Sequence, residues 1–142
     1  MIVDANVLLF AVDESSPFHS VAWNWLDSAM NGPERVGLPW PSLLAFQRII
    51  THPRATTNPL TPESAWQYVT DWLDAEQSWV PVPGPRHREI LGDLLTRGQL
   101  RGNLVPDAHL AALAMEHGVA VCSFDSDYAR FGALRWVNPA SL

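Results

Sequence analysis

The sequence predicts an α/β protein, a short parallel sheet of four to five strands flanked by helices, in one unit spanning residues 1–142. Three observations carry that expectation. Short apolar runs alternate along the chain with segments whose apolar residues recur at helical spacing. One run, VAVCSF at 119–124, opens fully apolar, as a strand covered on both faces must be. The 142 residues, 47% of them hydrophobic, suffice for one continuous core, and no repeat, linker or low-complexity stretch divides them.

The elements follow in order. Residues 1–4 form a short apolar strand, MIV, that ends in Asp4. Over 17–31, Phe18, Val21, Ala22, Trp25, Leu26 and Ala29 mark one helical face, with Pro17 suited to a first turn. Val36 to Pro39 reads as a second strand, and Ser42 to His52 as a helix stopped by Pro53. Thr61-Pro62 opens a further helix whose apolar side carries Ala65, Val69, Trp72 and Leu73. Trp79 to Val82 is a third strand, and 86–97 a helix closed by Gly98. Asp107 to His117 is a helix ended by Gly118, and the VAVCSF strand follows at once. A short helix at 126–131 and a last strand, RWVN, complete the chain. Strands separated by helices imply right-handed crossovers, and ligands of such sheets bind outside the strands' carboxyl ends.

Composition removes several classes of function. All nine basic residues are arginine, so P-loop, Schiff-base and lysine-dependent receiver chemistry are excluded. A net charge of −6 argues against holding nucleic acid by bulk charge, though not against brief contact through a local patch. The one cysteine, Cys122, can form neither an internal disulfide nor a cysteine zinc site and is expected buried and inert. No apolar run approaches the ~20 residues that span a bilayer. MIVDAN has no basic n-region, so a cytoplasmic location is the expectation.

The carboxyl-edge rule directs attention to aspartates. Asp4 follows the first strand, Asp125 follows VAVCSF, Asp127 comes two residues later, and Asp107 opens the helix before that strand. A helix leading into a parallel strand begins at the edge where that strand ends. Asp4, Asp107 and Asp125 therefore converge at one edge despite their separation in sequence. Three uncompensated carboxylates raise one another's pKa, and a hard divalent cation relieves the repulsion; oxygen-only ligands select Mg2+ or Mn2+ over zinc. Each aspartate alone has a simpler role, Asp4 capping a helix that starts near Asn6, Asp125 capping the short helix beyond it and Asp107 offsetting a helix dipole. Three such roles at one edge, with no lysine, fit a metal site better, and capping does not exclude ligation.

IVDANVLL at the start, NLVPDAHLAALAMEHG at 103–118 and VCSFDSDYARF at 121–131 resemble the ordered blocks of the PIN-domain nucleases. More narrowly they resemble the VapC toxins of bacterial toxin–antitoxin pairs, the mycobacterial set included, and LPWPSLLAFQRIITHPR is similar to the same subgroup. The resemblance implies a Mg2+-dependent endoribonuclease, for which Mn2+ can substitute. It also implies RNA as substrate, inhibition by a small cognate antitoxin protein, frequent homodimerisation and no membrane association. Asp4, Asp107 and Asp125 match the metal-binding acids and Asp127 the further acid of the last block. Ser123 and Asn6 match supporting polar positions. One departure stands out. The family carries a glutamate in the helix after the second strand, where this chain has Ala45; Ser42 and Gln47 are weaker ligands and Glu34 lies earlier. One metal site is expected, a second is left open, and a catalytically weak or inactive module acting through a partner surface is the alternative. A small-molecule phosphatase using the same acids would need a lid, which no segment provides.

The remaining features are secondary. Arg48, with His52 and Arg54 beyond it, is the candidate for RNA phosphate contact, since its helix follows a strand toward the site. Arg86, His87, Arg88, Arg97 and Arg101 read mainly as a solvated face paired with Glu89 and Asp93. Of seven tryptophans, Trp25 and Trp72 are expected in the core, while Trp23 and Trp66 fall off the apolar faces and suit a partner surface.

Overall fold

The computed structural model describes residues 1–142, in five short parallel strands and six α-helices. In chain order these are β1 (Ile2–Val3), α1 (Ala5–Val12), α2 (His19–Met30), β2 (Val36–Gly37), α3 (Trp40–Ile50), α4 (Pro62–Asp74), β3 (Ser78–Trp79), α5 (His87–Arg97), α6 (Leu104–His117), β4 (Val121–Cys122) and β5 (Trp136–Val137). A 3-10 turn, Ser126–Arg130, links β4 to β5, and a second, Pro139–Ser141, ends the chain. The strand order is β3-β2-β1-β4-β5.

The sheet separates two apolar clusters, and the register shows why. Ile2 pairs with Val121 and Val3 with Cys122. Successive strand residues face opposite ways, so Ile2 and Val121 join Ala108, Leu110, Ala111, Leu113, Tyr128 and Phe131 on one side. Val3 and Cys122 join Val7, Leu8, Leu26, Leu38, Leu43, Phe46 and Val69 on the other. Helices α1–α4 cover this second face and α5–α6 the first. Burial pushes the Cys122 thiol up to about 12, so it stays protonated, in line with the inert role expected of it.

Several boundaries differ from the sequence expectation. Helix α1 was foreseen only as the helix that Asp4 would cap. Its start is fixed by Asp4, whose Oδ1 accepts from Ala5 N at 2.8 Å. Pro17 lies outside α2, because Ser16 first closes a turn by accepting from Phe18 N. Helix α3 starts two residues early, since Pro39 and Pro41 suit its cap and first turn. Helix α6 starts at Leu104, so Asp107 sits in its first turn behind Pro106, whose missing N–H costs nothing there. Strand β3 stops at Trp79, because Pro81 and Pro83 cannot donate to a ladder. The VAVCSF segment pairs along its middle: Ala120 accepts from Ile2, and Ser123 donates to Val137.

Strand order reverses between β1 and β4. From β1 the chain steps outward through β2 to β3, then returns to lay β4 on β1's other side and β5 beyond it. That reversal opens a crevice at the carboxyl ends of β1 and β4. The tight connection from α6 to β4 depends on Gly118, at φ 66° and ψ 33°, whose N–H closes the helix on Ala114 O and Met115 O. This turn lies at the edge opposite the site and fixes how α6 runs back into β4, so Gly118→Ala is expected to lower the unfolding free energy by about 1–2 kcal/mol through left-handed backbone strain. Urea denaturation of the two proteins checks this.

Candidate functional site

At the β1–β4 crevice a side-chain network ties the two strand ends together. Asp4 N donates to Cys122 O at 3.0 Å, holding the residue at the ladder's end. Its Oδ2 accepts from Ser123 Oγ at 2.7 Å and from Asn6 Nδ2 at 3.4 Å. Asn6 Nδ2 also donates to Ser123 Oγ at 3.0 Å, and Asn6 Oδ1 accepts from Phe124 N at 3.2 Å. Ser123 Oγ accepts from Asp125 N at 3.0 Å. Asn6 and Ser123 thus fix Asp4 and the turn that carries Asp125. Burial raises the Asp4 pKa, against the lowering effect of its bonds to Ser123 and Ala5.

In front of Asp4 stands the tightest group. Carboxylate oxygens of Asp107, Asp125 and Asp127 lie within 4.8 Å of one another. Asp107 comes from the first turn of α6, and Asp125 caps the 3-10 turn by accepting from Asp127 N at 2.9 Å. Asp127 is exposed, with Arg130 Nη2 3.5 Å from its Oδ1. Burial, then the charges of Asp4, Asp125 and Asp127, push the Asp107 carboxyl up to about 6. The aspartate expected to assist, Asp127, therefore belongs to the closest trio, while Asp4 sits behind it with both oxygens already hydrogen-bonded. An all-carboxylate donor set with a single exposed arginine beside it suits a hard divalent cation.

Two side chains in the site were not foreseen. Tyr128 is fully buried, and its hydroxyl donates to Asp107 Oδ1 at 3.4 Å. A tyrosine in a buried run must find a partner for its hydroxyl, which was the available signal. Trp136 Nε1 donates to Ser123 O at 2.9 Å, bracing the end of β4 from β5; nothing in sequence spacing announces that contact.

Other candidates lie apart. Arg48 is exposed in the last turn of α3, about 12 Å along the axis from the helix start at the site's edge. The structure does not bring it into the carboxylate group. Ala45 is half-buried on α3, which has no acidic residue. In the second basic group, Arg97 pairs with Asp93 at 2.6 Å as expected. His87 departs from it: the ring is buried against His109, 3.1 Å between their nitrogens, because α5 turns that position onto α6. Trp23 and Trp66 are exposed, and Trp66 stacks on Trp40 with 6.4 Å between ring centroids.

A reversed-order parallel sheet with aspartates gathered at its switch point offers a cluster of carboxylates that could hold a metal ion. The sequence profile described as PIN domain matches residues 1–134, and the chain belongs to the PIN-domain family. It is similar to Ribonuclease VapC37 of Mycobacterium tuberculosis, with 47% identity over 141 residues, covering 99% of this chain and 98% of that protein. Ribonuclease VapC33 of the same species is 37% identical over 139 residues, covering 98% and 97%. Among solved structures, M. tuberculosis VapC20, a sarcin-ricin loop cleaving toxin, superposes with a TM-score of 0.70 at 17% identity, covering 92% and 94%. VapBC2 of Rickettsia felis bound to a promoter DNA fragment gives 0.68 at 13%, covering 96% of each chain. At those identities the structural matches establish the fold alone.

The electrostatics make a prediction for the metal-free protein. Asp107 is protonated up to about pH 6 when folded but only to the ordinary 3.8 when unfolded. The folded state therefore binds more protons in that window, and stability falls as pH rises through it. Asp107→Asn removes this penalty. Its melting temperature relative to wild type, measured in a chelator, is expected to rise between pH 4 and pH 7 and to level off above. A difference that does not grow across that window would remove the uncompensated charge.

Proposed function

We propose that this protein is a metal-dependent endoribonuclease, the toxin of a toxin–antitoxin pair. The observation that carries the reading is the trio Asp107, Asp125 and Asp127, within 4.8 Å at the switch point of a PIN fold. Support comes from the relatives named as VapC ribonucleases across nearly the whole chain. The structural neighbours titled as VapBC assemblies support a small antitoxin as partner.

In this reading Asp107, Asp125 and Asp127 hold Mg2+, or Mn2+ in its place, with Asp4 behind them adding negative charge. The bound ion would supply Lewis-acid activation of the phosphodiester and of the attacking water. Asn6 and Ser123 act on Asp4 and on the Asp125 turn, keeping both carboxylates aimed at the crevice. No side chain serves as nucleophile. The Ser123 hydroxyl donates to Asp4 and accepts from Asn6 and Asp125 N, which uses its capacity, and the Cys122 thiol is buried and protonated. Arg48, at the far end of α3, would meet only an RNA that runs along that helix.

A second reading has a specific observation behind it. Helix α3 offers no carboxylate, so the clustered donors come only from α6 and the turn after β4. A site one ligand short would act weakly or serve only as a partner module, through exposed Trp23, Trp40 and Trp66. End-mapping of total RNA after incubation with the protein and Mn2+ separates the two. Discrete new ends are expected, absent with Asp107→Asn, whose circular dichroism matches wild type. No new ends with wild type would leave the partner module.

A further inference from the structure

We propose that Tyr128 is a positioning residue of the metal centre, its hydroxyl holding Asp107 so that the carboxylates on α6 and in the turn after β4 converge. This rests on the reading of the aspartates as metal ligands. Tyr128 is fully buried, packed beside Phe131 with 6.1 Å between ring centroids. It belongs to the apolar cluster under α6, so its ring is fixed by packing rather than by the site. Only its hydroxyl reaches out of that cluster, donating to Asp107 Oδ1 at 3.4 Å.

The reason such a group is needed lies in the geometry. Asp4 is immobilised by Ala5 N, Ser123 and Asn6, and Asp125 by its own cap. Of the two outer acids beside Asp125, Asp127 has Arg130 and Asp107 has no cation. Asp107 is repelled by Asp4, Asp125 and Asp127 together. Among the protein's side chains only the Tyr128 hydroxyl donates a hydrogen bond to it. A donor of this kind orients a ligand carboxylate while leaving its second oxygen free, the usual work of a group behind a metal ligand.

The test uses the full chain and Mn2+ alone as the probe. Mn2+ affinity is measured by calorimetry for wild type, Tyr128→Phe and Phe131→Leu. Tyr128→Phe keeps the buried ring and loses only the hydroxyl, and its affinity is expected to fall about tenfold or more. Phe131→Leu loosens the same cluster without touching the acids and is expected to bind as wild type does. Equal affinity for Tyr128→Phe and wild type overturns the positioning role while the metal site stands. Equal losses in both variants overturn it too, since packing alone then explains the effect. Wild type that binds no Mn2+ overturns the metal reading itself, and the role with it. If Tyr128→Phe proves thermally weak, the Mn2+-induced rise in melting temperature gives the second measurement. That rise is expected to shrink in Tyr128→Phe only, and an undiminished rise there is again fatal to the role.

Discussion

Mutual repulsion among carboxyl groups at the end of β1 and β4 is the constraint around which the rest of this protein is arranged. Asp4, Asp107, Asp125 and Asp127 converge where the strand order reverses, and only Arg130 stands near them. In a metal-free protein that arrangement costs stability: burial first, and then the charges of Asp4, Asp125 and Asp127, raise the Asp107 pKa. It persists because independent features hold each acid. The Asp4 backbone is locked by the β1–β4 ladder, Asp107 by the first turn of α6, and Asp125 by the turn it caps. A fold that accepts such a cost at the usual ligand crevice of its class has placed charge where a cation can offset it.

The four acids divide into two layers with different physics. Asp4 has both oxygens engaged by Ala5, Ser123 and Asn6, so its position is set by hydrogen bonds that would survive the loss of any cation. Asp107, Asp125 and Asp127 face outward and are close enough to share one ion. Ser123 joins the layers, because one hydroxyl both donates to Asp4 and accepts from the backbone of Asp125. Its own placement depends in turn on β5, through the Trp136 indole bonded to its carbonyl. The site is thus braced by a strand that contributes no acid to it.

Most of this was legible in the sequence for a definite reason. Alternating apolar runs and helical faces state the layer order, and the edge rule for parallel sheets then brings together aspartates more than a hundred residues apart. That logic located Asp4, Asp107, Asp125 and Asp127, while the polar pair Asn6 and Ser123 came from the family resemblance. It could not rank the acids by distance, because the side chains' directions depend on turn geometry after β4. Hence Asp127, expected at the margin, lies in the closest trio. Tyr128 escaped because an aromatic residue in a buried run reads as packing, and only its hydroxyl's partner reveals the second role. Arg48 looked promising by helix order alone. Its place eight residues past the start of α3 carries it down the helix, away from the edge.

The missing acid on α3 gives the site a distinctive economy of origin. Its three closest carboxylates all come from one continuous unit: α6, the Gly118 turn, β4 and the 3-10 turn that follows. Their mutual spacing is a local property of residues 104–130, while the N-terminal half contributes Asp4 and the apolar face beneath. Helices α1–α4 contribute no carboxylate to that trio. Their exposed aromatic residues, Trp23 on α2 and the stacked Trp40 and Trp66 on α3 and α4, lie apart from the acids in sequence. The two halves of the chain are joined at the site by the hydrogen bond between Asp4 and Ser123.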